Sequence, residues 1–182
     1  MAAGNTYTPI ATTTLTTTTS SVTFGTGSPL SGNIPQNYTD LVVVISGTST
    51  SSPGAFKWRY NSDSTALYSD TLLFGSNNSG SQLPYSVRAS SQTFLDSTNY
   101  AVLDTTTPGT FIMHIMNYSN TTTYKTALVR SNIPTNTTSL NEVGLIAALY
   151  RSTNPITSIN LNTSSSTWAI GSTFTLYGIA AA

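Results

Sequence analysis

Cysteine is absent from this chain and charge is scarce: six Lys and Arg, six Asp and Glu and one histidine are spread over 182 residues. Without cysteine there is no disulfide framework, no thiolate metal site and no cysteine nucleophile. A soluble chain of this length carries about 45 charged residues at the usual quarter of the composition. The even balance denies the basic surplus that a phosphate-neutralising nucleic-acid binder needs, and the low total excludes a charged disordered tail. Long apolar runs are missing as well. Leu41 to Ile45 is five residues and Leu145 to Tyr150 six, against the ~20 of a membrane-spanning helix. Met1 to Ile10 holds neither cations nor an apolar stretch, so it does not read as a secretory signal. Neither a nucleic acid nor a membrane is expected as a partner.

What the chain has instead is 35 Thr, 27 Ser and 15 Asn, beside a hydrophobic content of 38% and 2 Trp, 10 Tyr and 6 Phe. That is enough apolar material for one packed domain. Helix formers are thin, with one Glu and three Gln, whereas the branched Cβ of Thr suits a pleated strand. Alternation agrees: in Phe56-Lys57-Trp58-Arg59-Tyr60 three aromatics take one face and two cations the other. Further strands are expected over Ser21–Phe24, Leu41–Ile45 (covered on both faces), Ala66–Phe74, Tyr100–Asp104, Thr110–Tyr118, Tyr124–Arg130, Val143–Tyr150, Ile156–Asn162 and Thr173–Ile179. Segments rich in Gly, Pro, Ser, Thr and Asn separate them, at 25–32, 46–54, 76–81, 105–109, 132–139 and 162–166, and Ser119 to Thr123 reads as a hairpin loop.

About nine or ten strands so punctuated predict an all-β fold, an antiparallel, jelly-roll-like β-sandwich. Residues 141–151 would also pass as a short helix, although strand fits better. Residues 1–20 form a Thr-rich arm or edge strand ahead of a single sandwich domain over 21–182. No repeat, linker or coiled-coil heptad divides the chain.

Chemistry is sparse. His114, the one imidazole, lies in Phe111-Ile112-Met113-His114-Ile115-Met116 on the face opposite Phe111, Met113 and Ile115, where it reads as a surface or subunit-contact residue rather than as a general base. No Gly-x-Ser-x-Gly elbow accompanies it. A glycosidase would draw its two carboxylates from Asp40, Asp63, Asp70, Asp96, Asp104 and Glu142, all beside turn residues or strand ends where Asp bonds nearby amides. Asp63 with Asn61 and Asp70 could hold a hard cation, but the spacing fits no EF-hand and a turn explains it. No cofactor, metal or enzymatic activity is expected. The six sequons, at Asn37, Asn77, Asn117, Asn120, Asn136 and Asn162, are what chance gives in so Ser/Thr-rich a chain.

The aromatic strand has two readings. Trp58 with Lys57 and Arg59, and Trp168 elsewhere, could be a sugar platform or partner contact; or Phe56, Trp58 and Tyr60 form the inward face of a sandwich, leaving Lys57 and Arg59 outward.

Several phrases carry a resemblance. They are Ile34-Pro35-Gln36-Asn37-Tyr38-Thr39-Asp40-Leu41-Val42; Tyr60-Asn61-Ser62-Asp63 with Tyr68-Ser69; Asn117-Tyr118-Ser119-Asn120-Thr121 before Lys125-Thr126; and Pro155-Ile156-Thr157-Ser158-Ile159-Asn160-Leu161 leading to Gly171-Ser172-Thr173-Phe174-Thr175-Leu176-Tyr177-Gly178-Ile179. In this order, over residues 7 to 179, the chain resembles β-rich virion-surface proteins of tailed bacteriophages, of the tail-fibre and capsid-decoration type, especially those of cyanophages and other aquatic phages. The resemblance implies a module on the particle surface that brings no catalytic residues. It gives structural roles to its motif: Leu176 and Ile179 in the core, Gly178 for close backbone approach, Tyr177 and Asn61 for hydrogen bonds, Asp63 in the turn. Such modules commonly end longer fibre proteins. A chain opening at Met1 without a shaft is expected to be a capsid decoration or cement protein, associating as a trimer on other virion proteins such as the major capsid protein. The alternatives are a fibre or spike tip reading host glycan, and a polysaccharide depolymerase.

Overall fold

The structure, a computed structural model, describes residues 6–27, 29–51, 54–76, 83–96, 102–134 and 142–180. The sequons at Asn77 and Asn136, Tyr100, and the turn segments at 77–81 and 135–139 lie outside the described residues. Within them the chain is all-β, in fourteen strands: β1 (Tyr7–Thr14), β2 (Ser21–Phe24), β3 (Pro29–Leu30), β4 (Asp40–Gly47), β5 (Gly54–Tyr60), β6 (Tyr68–Ser76), β7 (Leu83–Gln92), β8 (Leu95–Asp96), β9 (Val102–Leu103), β10 (Gly109–Met116), β11 (Lys125–Ile133), β12 (Glu142–Tyr150), β13 (Ile159–Ser164) and β14 (Thr173–Ile179). No helix among the described residues is long and apolar enough to cross a membrane.

The strands form two sheets. The larger runs β1-β14-β4-β10-β11-β12-β6-β7; the smaller runs β3-β2-β13-β5-β8, with β9 also on β5. All pairings are antiparallel except β2 with β3. Strands distant in sequence interleave, β14 between β1 and β4 and β13 between β2 and β5, as a jelly-roll-like sandwich requires. The strand count exceeds the nine or ten expected through β1 in the Thr-rich arm, the two-residue segments β3 and β8, and β7, over which no strand is expected above; the two-residue β9 falls within the expected Tyr100–Asp104. Residues 83–92 alternate, with Val87 and Ala89 half-buried between exposed Ser86, Arg88 and Ser90, as suits an outermost strand with one neighbour. β1 begins at Tyr7, ahead of the Thr run, and pairs along β14 as the opposite outer strand.

Two aromatic clusters fill the space between the sheets. At one end Phe56 of β5 meets Phe111 of β10 at 4.6 Å between ring centroids, and Trp168 lies edge-on to Phe174 at 4.9 Å. At the other, Tyr68 and Tyr150 stack at 4.7 Å, with Tyr60 5.6 Å from Tyr150. Aromatic pairs in these geometries add ~0.5–1.5 kcal/mol each beyond area burial. The Tyr hydroxyls are satisfied: Trp58 Nε1 donates to Tyr60 Oη at 3.1 Å, and Tyr68 Oη donates to the Tyr60 and Asp63 carbonyls.

Residues 142–150 are strand, paired along their length with β11 and β6, so tertiary pairing overrides the helical leaning of Leu145 to Leu149. The hairpin between β10 and β11 turns on Asn120, whose Oδ1 accepts from the amides of Thr122 (2.7 Å) and Thr123 (2.8 Å). This is the local bond that makes Asn a turn residue.

Candidate functional site

β5 settles between the two readings of its aromatics. Phe56 and Trp58 are fully buried and Tyr60 is 1% exposed, while Lys57 and Arg59 point away from the core. Trp168, bridged to Thr19 and Ser49, is also fully buried, its Nε1 donating to the Leu161 carbonyl at 3.4 Å. The sugar-platform reading is therefore corrected for both tryptophans. Their rings are spent on the core, and neither offers a face to a ligand.

Lys57 and Arg59 instead help form a groove of about 480 Å³ on the outer face of the smaller sheet, with Phe94, Asn160, Asn162 and Ser164. Register explains the grouping: Arg59 lies opposite Asn160 and Lys57 opposite Asn162. Lys57 Nζ stands 3.7 Å from Asp96 and 4.1 Å from the Phe94 ring centre, while Arg59 Nε donates to the Thr93 carbonyl at 2.8 Å. Asn160 and Asn162 carry no signal in the sequence that links them to Lys57, because strand pairing across about 100 residues brings them together, and Phe94 reaches Lys57 from the turn before β8.

The motif residues are structural. Asn61, at φ 54°, ties two loops: its Oδ1 accepts from the amides of Thr157 (2.8 Å) and Ser158 (3.2 Å), and its Nδ2 donates to the Pro155 carbonyl at 2.8 Å. Asp63 accepts from the Thr65 amide at 2.8 Å and from Tyr150 Oη at 2.7 Å. Burial acts to raise its pKa, but these bonds outweigh it and hold the carboxyl below the usual range. Leu176 is fully buried. Gly178 carries the Tyr38 ring on its backbone, where a Cβ would fall 2.3 Å from a ring carbon. Two expected roles are corrected. Ile179 is only half-buried, because it points to the outer side of β14, and Tyr177 on that same side meets the ring of Tyr7 edge to face at 6.3 Å, with no side-chain hydrogen bond among the described residues.

The carboxylates are dispersed into local structure. Asp40 accepts from the Asn117 amide at 2.8 Å and stands 3.0 Å from His114 Nε2 on the outer face of the larger sheet. Asp104 accepts from the Thr106 and Thr107 amides; burial opposes ionisation, but these bonds prevail and hold the carboxyl at about 2. Among the described residues no three His, Asp or Glu cluster as a metal site would need.

Asp70 differs. It is 7% exposed on β6, where its Oδ2 accepts from the Asp96 amide at 3.5 Å beside the Asp96–Lys57 pair, and burial pushes its carboxyl up to about 6. A folded-state pKa above the unfolded value near 4 favours the neutral acid in the fold. Its contribution is complete below about pH 4 and is lost as pH rises through about 6. Asp70→Asn should therefore melt a few degrees above the parent at pH 8, for about 1 kcal/mol once the water reaching the carboxylate is allowed for, with the gap closing at pH 4. Calorimetry at the two pH values checks this; an equal gap at both would remove Asp70 ionisation as the cause.

The second surface feature is apolar. On the outer face of the larger sheet Leu73, Val143, Leu145 and Leu128 are 53, 63, 38 and 41% exposed. One cross-strand row reads Leu73, Leu145, Arg130, Ile112 and Val44 from β6 to β4. Val143, Leu145 and Leu73 with Arg130 line a groove of about 720 Å³. The signal for it in the sequence is β12 itself, whose Val143 to Tyr150 run is apolar on both faces. Comparisons with protein-family models, with curated proteins and with solved structures find no match.

Proposed function

We propose that this chain is a non-enzymatic structural protein of the surface of a tailed-bacteriophage particle, a capsid decoration or cement protein, acting as a homotrimer on virion partners such as the major capsid protein. The observation that carries the reading is the exposed apolar face of the larger sheet. Side chains such as Leu73, Val143 and Leu145 stand in a continuous patch of the kind that marks an interaction surface. A net charge of zero supports the same reading, since it removes the repulsion that keeps free proteins apart. The dispersal of the carboxylates into turns and buried positions supports a role without catalysis. The virion assignment rests on the resemblance carried by the motif phrases.

A second reading, a tail-fibre or spike module that recognises host-surface glycan, is favoured by the polar groove around Arg59 and Asn160. Quantitative mass spectrometry and imaging of purified particles separate the two. Hundreds of copies spread over the shell are expected for decoration, a few copies at the tail vertex would transfer the chain to the second reading, and absence from intact particles would sink both.

A further inference from the structure

The groove over β5 and β13 lies on the smaller sheet, apart from the apolar face of the larger one, and carries its own donor set. Lys57 is matched by Asp96 at 3.7 Å, but among the described residues Arg59 has no carboxylate partner. One edge of its guanidinium is pinned, through Nε, to the Thr93 carbonyl at 2.8 Å. The terminal nitrogens keep their N–H donors, and a guanidinium so held is preorganised for two parallel bonds to a carboxylate.

Beside it runs an oriented amide relay. Asn162 donates to the Asn160 side-chain oxygen, and Asn160 donates to Thr23 Oγ1 at 2.7 Å. That leaves the Asn162 side-chain Oδ1 as an acceptor at the groove, which Ser164 also lines. Amide and hydroxyl groups in a row match the ring hydroxyls of a saccharide, while the Phe94 ring, 4.1 Å from Lys57 Nζ and 5.7 Å from the Arg59 guanidinium carbon, holds the two cations at the groove. The volume of about 480 Å³ is within the range of small-ligand sites. A nucleic acid would call for more unpaired cations and stacking platforms than one Arg and one ring already covered by Lys57. An acidic peptide would leave the amide row without hydroxyl partners.

We infer that this groove binds an acidic saccharide, with a uronate carboxylate on the Arg59 fork and ring hydroxyls on Asn162 and Ser164. The inference rests on the glycan reading given above and is indifferent to where on a particle the chain sits.

Calorimetric titration of the full chain with a galacturonic-acid tetramer tests it, beside maltotetraose as the neutral sugar and poly-glutamate and oligo-thymidylate as non-saccharide polyanions. Saturable binding of the uronate is expected, weaker by about tenfold or more in Arg59→Gln, since charged hydrogen bonds are lost, and only partly restored in Arg59→Lys, which keeps charge without the fork. Asn162→Ala, remote from the Thr93 contact, is expected to weaken binding several-fold. It serves in place of Arg59→Gln if melting shows that variant to be unfolded. Equal binding of maltotetraose and uronate, unchanged by Arg59→Gln, would keep the glycan reading and overturn the acidic ligand. Binding of no saccharide would overturn both. Tighter binding of poly-glutamate or oligo-thymidylate than of the uronate would overturn the saccharide assignment.

Discussion

Leu176→Asp is expected to abolish folding. Leu176 lies fully buried in the middle of β14, paired to Val43 of β4 on one side and Ala11 of β1 on the other. Truncation alone removes ~2–5 kcal/mol of burial and leaves a cavity. A carboxylate adds the cost of stripping its hydration with no partner in reach, or of holding a proton at neutral pH. Together these rival the ~5–15 kcal/mol that a domain of ordinary stability has in total. The measurement is soluble yield with circular dichroism, and a soluble mutant melting like the parent would show that β14 is not buried. Leu176→Ala should remain folded and melt some 6–12 °C lower, at ~2–4 °C per kcal/mol for a chain of this size.

Asn61→Ala comes next in size, because a single side chain holds two loops. The substitution strands the amides of Thr157 and Ser158 and the carbonyl of Pro155, and places Ala at a φ of 54°. Lost partners for buried groups cost ~1–3 kcal/mol apiece and the left-handed backbone ~1–2. With partial access to water, a total near 4 kcal/mol and a melting point lower by about 10 °C are expected. Asn61→Gly should recover only the backbone share, and Asn61→Asp should fall between, since it keeps the acceptor and loses the donor. Melting curves for the three in that order check the account; an alanine variant within ~2 °C of the parent would contradict it.

The same residues show how far the sequence could be read. Alternation in Phe56 to Tyr60 announced which side chains face inward, because a strand with one buried face must repeat every two residues. His114 was legible on the same ground, its neighbours Met113 and Ile115 both fully buried. The Asn120 hairpin was visible because its chemistry is local. Trp58 and Trp168 were ambiguous because an aromatic side chain suits a core and a sugar equally, and only the partner sheet decides which it meets. β7 alternates Val87 and Ala89 with Ser86 and Arg88, but its apolar residues there are small and few, so only the pairing with β6 marks it as a strand.

Composition and period by themselves determined an all-β chain with its inward residues assigned, since branched Cβ atoms and two-residue alternation act within a few residues. Tertiary structure decided everything that depends on pairing across long separations. It set Arg59 opposite Asn160, stood Leu73 beside Leu145, and placed the Tyr38 ring on Gly178. Local sequence carries no record of which strand will lie alongside, because register is fixed by the packing of the whole sandwich.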